Sequence, residues 1–389
     1  MQRSTDRIRT TQAGSLPRPE ALLGARVSAD VAAAVADVVA AQREAGIDQV
    51  GDGEYGKEMT QRVNYGAWWS YSFSRLGGLE LDDTPPQPVP SASTGLTLGT
   101  FAQRRDRERF AEVYADPDSG ATPNPRGIRL PVCRGPLTYV GQEQIAADVA
   151  RFRAALDAAG LDEGFMTSIG PGSCSRIGNE YYPDDESFLY ACADAMREEY
   201  AAILDAGLVL QVDDPAIAEN FDQVVPEPSV EDYRRYTRVR IEALNHALRG
   251  LPRERIRFHL CWGSWHGPHT TDLPLADLAD LVAGVHAGAV SFEAGNVRHE
   301  HEWKVWRDVD LPEDTLLLPG VVSHATNLVE HPELVADRVE RFAGIVGRER
   351  VVASTDCGLG GRVHPQLAWA KLRSLAEGAA IASRRLWRT

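Results

Sequence analysis

The sequence predicts an α/β fold of the TIM (β/α)8 barrel class, with a long insertion after the second strand. Strand-like apolar runs alternate with helical segments along most of the chain, as is typical of a parallel sheet covered by helices. Eight strands can be counted, and eight is the number that closes a TIM barrel. No shift in composition marks a second domain. We therefore expect a single domain over residues 1–389, with an insertion at about 55–127.

The individual elements follow from residue patterns taken in chain order. Strands are short runs rich in β-branched and aromatic residues, and helices carry apolar residues at helical spacing. The strands are predicted at 10–15, 49–54, 164–170, 208–212, 256–262, a run ending at 293, 316–323 and 351–355. The helices are predicted at 28–45, 142–159, 186–206, 230–248, 274–287, 332–346 and 365–386, and one further strand is expected at 128–132.

The alternation stops between Tyr55 and Gly127. This segment holds an aromatic run at 68–73, which begins with Trp68 and Trp69, and then a proline-rich piece at 85–88. A loop of this length inside a compact domain is usually functional or partly disordered. Two roles remain open for the aromatic residues: a lid over the mouth of the barrel, or an anchor that holds the insertion to the side of the barrel.

Composition excludes several classes of protein. The net charge of −15 argues against nucleic-acid binding, because phosphate contacts need a basic surface. No apolar run reaches the roughly 20 residues of a membrane span, and the N-terminus lacks a signal peptide. The five scattered cysteines do not form a disulfide framework. We expect a cytoplasmic protein with small-molecule partners and neither nucleic acid nor membrane; an oligomer remains open.

A candidate metal site begins with His259 and Cys261. The two residues are two positions apart on a predicted strand, so their side chains leave it on the same side. An imidazole beside a soft thiolate favours zinc over magnesium or calcium, although a core histidine beside a buried free cysteine has the same spacing. Glu293 and Cys357 end two other strands. Because parallel strands of a barrel end at one mouth, we predict a zinc site made by all four residues.

Further polar residues lie at or just past the C-terminal ends of predicted strands, where TIM barrels place active sites. They are Gly14, Ser15, Glu54, Asp213 and His324. Glu54 and Asp213 are either ligand-binding groups or ordinary rim acids, and His324 is either a general acid or a rim histidine. Asp356 is expected to cap or buttress its turn.

The charge of the predicted site indicates its chemistry. Two thiolates and a carboxylate outweigh the charge of Zn²⁺, which favours a carboxylate that a thiol substrate can displace. A metal-bound thiol loses its proton near neutral pH and becomes a nucleophile toward alkyl carbon. The pattern therefore predicts alkyl transfer to sulfur. The run from His299 to Glu302 has the composition of a second metal motif, but we interpret it as the start of a solvated helix.

The predicted metal ligands resemble the zinc signature of the cobalamin-independent methionine synthase family, in its catalytic C-terminal barrel. The signature is His-x-Cys, then Glu, then Asp-Cys-Gly, and it is matched by His259, Cys261, Glu293 and Asp356-Cys357-Gly358. The similarity extends from Thr10 to about Leu386, with 55–127 matching least. It implies a zinc cofactor.

The resemblance also implies roles for the other polar residues. The stretch from Thr11 to Ser15, which includes Gly14, is similar to the family's thiol-substrate loop. Glu54 and Asp213 fall where the family holds the amino group of homocysteine, and His324 falls where a histidine lies beside the transferred group.

Departures from the family pattern leave the alkyl donor open. The separate N-terminal barrel of the long methionine synthases has no counterpart, and no tryptophan follows the turn at Gly170-Pro171, where the family stacks the folate pterin. The segments 293–303 and 329–335 look more like a short branch that includes epoxyalkane:coenzyme M transferase.

The specific prediction is a zinc-dependent thiol S-alkyltransferase that transfers methyl to homocysteine or a related thiol. One alternative is addition of a zinc-bound thiol to an epoxide; a sulfonate-bearing thiol would need a cation, for which Arg176 is the candidate. A second alternative is a non-catalytic, zinc-stabilised binding protein.

Overall fold

Eight parallel strands form one curved sheet in the computed structural model, which describes residues 1–22, 28–57, 66–81, 87–122 and 130–388. The strands are β1 (Arg9–Thr10), β2 (Val50–Gly51), β3 (Gly164–Ile169), β4 (Val209–Asp213), β5 (Ile256–Leu260), β6 (Ala289–Phe292), β7 (Leu316–Val322) and β8 (Val352–Thr355). Neighbours follow the order β2 to β8, with β1 beside β8. Backbone hydrogen bonds of 3.1 and 3.0 Å from Asp48 and Gln49 to the Thr10 carbonyl join the two ends of the sheet. The predicted barrel is confirmed.

Helices cover the outside of the sheet and begin where the sequence supplies caps. The longer ones are Ser28–Glu44, Gln142–Ala159, Asp185–Asp205, Val230–Leu248, Pro332–Val346 and Pro365–Leu386. The Asp184 and Ser229 side chains accept hydrogen bonds from the backbone NH groups three residues on, as N-caps do. Proline opens the last two helices, at the position that lacks an intrahelical NH bond. Among the described residues, no helix has the length and apolar character of a membrane span.

The single helix predicted at 274–287 is wrong. The structure has a short 3-10 helix, Leu275–Asp277, and then the five-residue helix Ala279–Ala283. Leu278 lies between them with φ −126°, outside helical geometry, and Gly284 follows the second piece. The Leu275 NH donates to Glu302 at 2.8 Å, a tertiary contact at the start of the first piece, where a helix has no partner for its NH groups.

Between β2 and β3 the chain leaves the barrel and forms a small layer of its own. Its elements are the helices Gly66–Ser74, Arg105–Arg109 and Ala111–Ala115, the 3-10 helix Phe101–Gln103 and the strands Leu76–Leu81, Val89–Pro90, Thr97–Leu98 and Pro131–Tyr139. Leu76–Leu81 pairs antiparallel with Pro131–Tyr139, which pairs in turn with Gly178–Asn179. The strand predicted at 128–132 is in fact the longer Pro131–Tyr139, and residues 128 and 129 lie outside the described part.

A buried acid ties this layer to the barrel. Glu199, on helix Asp185–Asp205, is fully buried and accepts hydrogen bonds from Tyr139 (2.6 Å), Ser168 (2.8 Å) and Arg75 (2.8 Å), and also from Tyr71. Burial opposes the charge, but the Arg75 guanidinium holds the pKa of Glu199 below its usual value. Tyr71 therefore serves as an anchor. The lid alternative also concerned Trp68 and Trp69, whose side chains lie outside the described part of the structure.

Candidate metal centre

Three of the predicted ligands meet at the mouth of the barrel. His259 lies near the end of β5, Cys261 follows that strand, and Cys357 lies two residues after β8. One ligand atom from each residue lies within 4.8 Å of the other two. Two strands separate β5 from β8 in the sheet, so only the curvature of the barrel brings Cys357 to the other two residues.

One nitrogen of His259 is held by a partner and the other is available. Its Nδ1 lies 3.0 Å from the Oγ of Ser291, the residue opposite it on β6. Its Nε2 is buried and has no hydrogen-bond partner in the described part of the chain. A metal-bound histidine commonly makes a hydrogen bond with the ring nitrogen that does not bind the metal. This bond orients the other nitrogen toward the ion. Nε2 is thus the atom that could bind a metal.

The thiols of Cys261 and Cys357 shift each other's pKa in opposite directions. A hydrogen bond from the Cys261 thiol lowers the pKa of Cys357 well below its usual range and raises that of Cys261. Burial disfavours a charge on His259, but the neighbouring Cys357 and Asp213 together outweigh it and raise the pKa of the imidazole. These interactions concentrate negative charge on sulfur at the point where the three ligand atoms converge.

Glu293 lies beside this trio but belongs to a second group. One carboxylate oxygen accepts the Trp262 NH at 3.0 Å, and the other accepts the side-chain amide of Asn296. A ligand atom of Glu293 lies within 4.8 Å of those of His324 and Asp356. Burial raises the pKa of Glu293 well above its usual value. The predicted four-residue set is therefore three converging groups with the carboxylate held next to them.

Asp356 takes part in the site as well as in its turn. Its Oδ1 accepts the Ala294 and Gly295 NH groups at 2.8 and 2.7 Å, which is the buttressing role expected for it. Its Oδ2 and the Nδ1 of His324 are buried, and neither has a hydrogen-bond partner among the residues described. Burial raises the pKa of Asp356 to about 7 and lowers that of His324 to about 4. His324 is accordingly a neutral imidazole near pH 7.

The predicted thiol-binding residues surround the same point. Gly14 has φ +136°, and a Cβ on it would lie 2.8 Å from Glu54 Oε1, so only glycine permits this approach. The Ser15 carbonyl accepts the Leu359 NH at 2.8 Å, which places the turn beside Cys357. Asp213 lies opposite His259 in the sheet, and burial raises its pKa to about 7.

Lys57 is a member of this site that the sequence interpretation missed. Its Nζ lies 3.2 Å from Glu54 Oε1 and 2.5 Å from Thr167 Oγ1, and the residue is only 7% exposed. Its position three residues after Glu54 was the available signal, because that spacing allows a salt bridge across a turn.

The solvated-helix interpretation of the run from His299 to Glu302 is wrong for its first and last residues. Both are buried, and His299 lies 2.7 Å from Glu302 and 3.1 Å from Asp272, one carboxylate at each ring nitrogen. Burial opposes the charge, but these bonds raise the pKa of His299 to about 10. The ring stacks on Trp262 with centroids 3.8 Å apart. Since both nitrogens are occupied, this imidazolium supports the Trp262 backbone that holds Glu293.

Arg176, the candidate cation for a sulfonate, is engaged inside the protein. Its Nη1 lies 2.8 Å from Glu219 Oε2, and Arg104 bonds the other oxygen of that carboxylate. Arg104 also lies over the ring of Trp265, 3.9 Å from its centroid. The arginine therefore belongs to a buried ion cluster beside the β5 loop.

Comparisons with known proteins identify the family of this chain. The family model described as "Cobalamin-independent synthase, Catalytic domain" matches residues 139–380, more than half of the 389 residues. A protein named methionine synthase from Thermococcus kodakarensis is 25% identical over 214 residues, covering 54% of each chain. A 2-hydroxypropyl-CoM lyase from Xanthobacter autotrophicus is 28% identical over 166 residues, covering 36% of this chain and 44% of that protein. The chain thus spans about half the length of the curated relatives it matches.

Solved structures show the same fold. A B12-independent methionine synthase from Shewanella sp. W3-18-1, in complex with selenomethionine, has a TM-score of 0.70 at 19% identity and covers 98% of this chain and 99% of its own. A putative vitamin-B12 independent methionine synthase from Listeria monocytogenes has a TM-score of 0.61 at 17% identity, with the same coverage. With the family model matched over most of the barrel, the chain belongs to the cobalamin-independent methionine synthase family.

Proposed function

We propose that the protein is a zinc-dependent thiol S-alkyltransferase, with methyl transfer to homocysteine as its specific reaction. The observation that carries this proposal is the trio of His259, Cys261 and Cys357 with Glu293 held next to it. Three converging donors beside one carboxylate leave a coordination position that a substrate can take. A thiol that accepts an alkyl group requires such a position, whereas a structural zinc site has four permanent ligands.

The residues present fit zinc. The donors are one imidazole and two thiols, the set that zinc prefers over harder cations, and the Nε2 of His259 is buried with no partner in the described chain. A zinc ion bound there would stabilise the thiolate form of a substrate thiol at neutral pH. The reduced cysteines that such a site needs are the reason to keep the cytoplasm as the expected compartment.

The surrounding side chains would bind the substrate thiol and assist the leaving group. Glu293 has partners of its own in Trp262 and Asn296, so its carboxylate can lie beside the donors without binding them. The turn at Gly14 and Ser15, together with Glu54 and Asp213, would hold an amino-acid thiol. His324 lies next to Glu293 and is neutral, so it can donate one hydrogen bond to a leaving group.

A second candidate is the addition of a thiol to an epoxide. The observation that favours it is the 28% identity to a protein named 2-hydroxypropyl-CoM lyase. Arg176 is bound to Glu219 and is not the cation for an anionic thiol in this arrangement. Lys57 is the cation that lies among the proposed thiol-binding residues. A non-catalytic zinc protein is less favoured, because such a role does not use the buried atoms of His324 and Asp356 that have no partner among the described residues.

Zinc-edge X-ray absorption with and without candidate thiols tests the proposal. Homocysteine, coenzyme M, glutathione and cysteine would each be added to the zinc-loaded protein. We expect the sulfur count at zinc to rise from two to three with one of them, which identifies the acceptor. Homocysteine would then be assayed with methyl-folates, and coenzyme M with epoxides. The absence of zinc, or an unchanged sulfur count with every thiol, would contradict the function.

A further inference from the structure

Lys57 already occupies the carboxylate on which an amino-acid thiol would place its ammonium group. Its Nζ lies 3.2 Å from Glu54 Oε1, and the Thr167 hydroxyl, 2.7 Å from the same oxygen, is 2.5 Å from Nζ. The three groups form a closed triangle of two hydrogen bonds and one ion pair. Gly14, the turn proposed to receive the thiol substrate, packs directly on this triangle through Glu54 and Thr167.

Several contacts fix the position of Lys57. The Arg18 guanidinium donates to the Lys57 carbonyl at 2.6 Å and also bonds the Glu54 carbonyl, which holds the turn from 54 to 57 in place. The Tyr71 ring lies 4.6 Å from Nζ, and its hydroxyl is bound to Glu199. A buried ammonium group that is paired with a carboxylate and lies over an aromatic ring does not move freely into solvent. The cation is therefore part of the site before any substrate binds.

We propose that Lys57 is a specificity-determining residue: it neutralises Glu54 from within the protein, so that the acceptor site admits thiols that lack an α-amino group. This inference rests on the proposed thiol-transfer function and extends its acceptor class to thiols without an amino group. An ammonium group on the substrate adds little attraction where Glu54 already has a counter-ion, and the charge of Lys57 also acts on Asp213, the other acid proposed to hold the amino group. A thiol that carries a carboxylate but no amino group therefore binds almost as tightly as the corresponding amino-acid thiol.

The test compares homocysteine with its des-amino analogue, 4-mercaptobutanoate. Isothermal titration calorimetry on the full-length, zinc-loaded protein gives a Kd for each thiol without requiring the alkyl donor. For the wild type we expect the two Kd values to agree within about threefold. In Lys57→Met the carboxylate of Glu54 is freed, and we expect homocysteine to bind at least about tenfold more tightly than the analogue.

Two further variants keep the result interpretable. Lys57→Gln removes the charge but retains a donor to Thr167, so it repeats the test if the methionine variant does not fold. Thr167→Val removes both hydrogen bonds of the triangle while leaving the ion pair between Lys57 and Glu54, and it should keep the wild-type ratio of Kd values.

The outcomes separate this inference from the function beneath it. A wild-type preference of about tenfold or more for homocysteine, unchanged in Lys57→Met and Lys57→Gln, would overturn the inference and leave thiol transfer intact. Failure of both thiols to bind the zinc-loaded wild type would overturn both.

Discussion

The hydroxyl of Ser291 lies 3.0 Å from Nδ1 of His259, and the two residues are direct neighbours on β6 and β5. With the Nδ1 proton donated to Ser291, the lone pair of Nε2 is directed away from the strand pair. The orientation of the imidazole is therefore decided before any metal binds. This relationship leads to the first prediction.

Ser291→Ala should lower the affinity for zinc by about tenfold to a hundredfold, which is the usual cost of losing the hydrogen-bonded partner of a metal ligand. Competition with a chromophoric chelator measures it. Ser354→Ala is the matched control: that hydroxyl is also fully buried on a barrel strand, but it has no hydrogen-bond partner in the described chain. Equal zinc affinities for the two variants would show that Ser291 does not orient His259.

Cys357→Ala should remove most of the bound zinc, because two donors cannot hold a zinc ion tightly. Elemental analysis after gel filtration gives the zinc content per chain. Cys192→Ala provides the control, since Cys192 is a fully buried free thiol on helix Asp185–Asp205 and is not among the converging donors. We expect it to bind zinc as the wild type does. Retention of zinc by the Cys357 variant would place the metal elsewhere.

Arg75→Ala should destabilise the fold by about 3–5 kcal/mol, because it leaves Glu199 and Asp148 charged and buried without their shared cation. Denaturant unfolding followed by tryptophan fluorescence gives the free energy of unfolding. Arg134→Ala is the comparison, since its pair with Glu180 is largely exposed, and we expect a loss of about 1 kcal/mol or less. Similar losses in both variants would argue against Glu199 as the anchor of the inserted layer.

Glu199 should also contribute a pH-dependent part of the stability. Its folded-state pKa is lowered from the ordinary value of 4.5 for a glutamate, so the unfolded state binds a proton first as pH falls. The stabilisation is therefore complete above that value and is lost as pH falls through the lower, folded-state pKa. The difference in unfolding free energy between wild type and Glu199→Gln should be constant near neutral pH and shrink in acid. A difference that stays constant into acid would rule out this linkage.

Local patterns were sufficient for most of the barrel. Strand alternation and helical spacing are properties of neighbouring residues, and several predicted helices, such as Val230–Leu248 and Pro332–Val346, agree with the structure. The prediction at 274–287 failed because Leu278 leaves helical geometry between two short pieces, and the spacing of apolar residues does not encode that break. The burial of His299 and Glu302 is not visible in the local pattern, because their partners, Asp272 and the Leu275 NH, are distant in sequence.

The sequence by itself determined which residue types stand at the strand ends, and that the side chains of His259 and Cys261 leave the chain on the same side at the end of β5, because an extended chain alternates its side chains locally. Only the tertiary structure decided that Cys357 reaches them, that Glu293 stands beside them with His324 and Asp356, and that Lys57 neutralises Glu54. These contacts join strands that are far apart in the chain, such as Lys57 to Thr167 across 110 positions. Closure of the barrel brings them together, and no local pattern encodes the resulting distances.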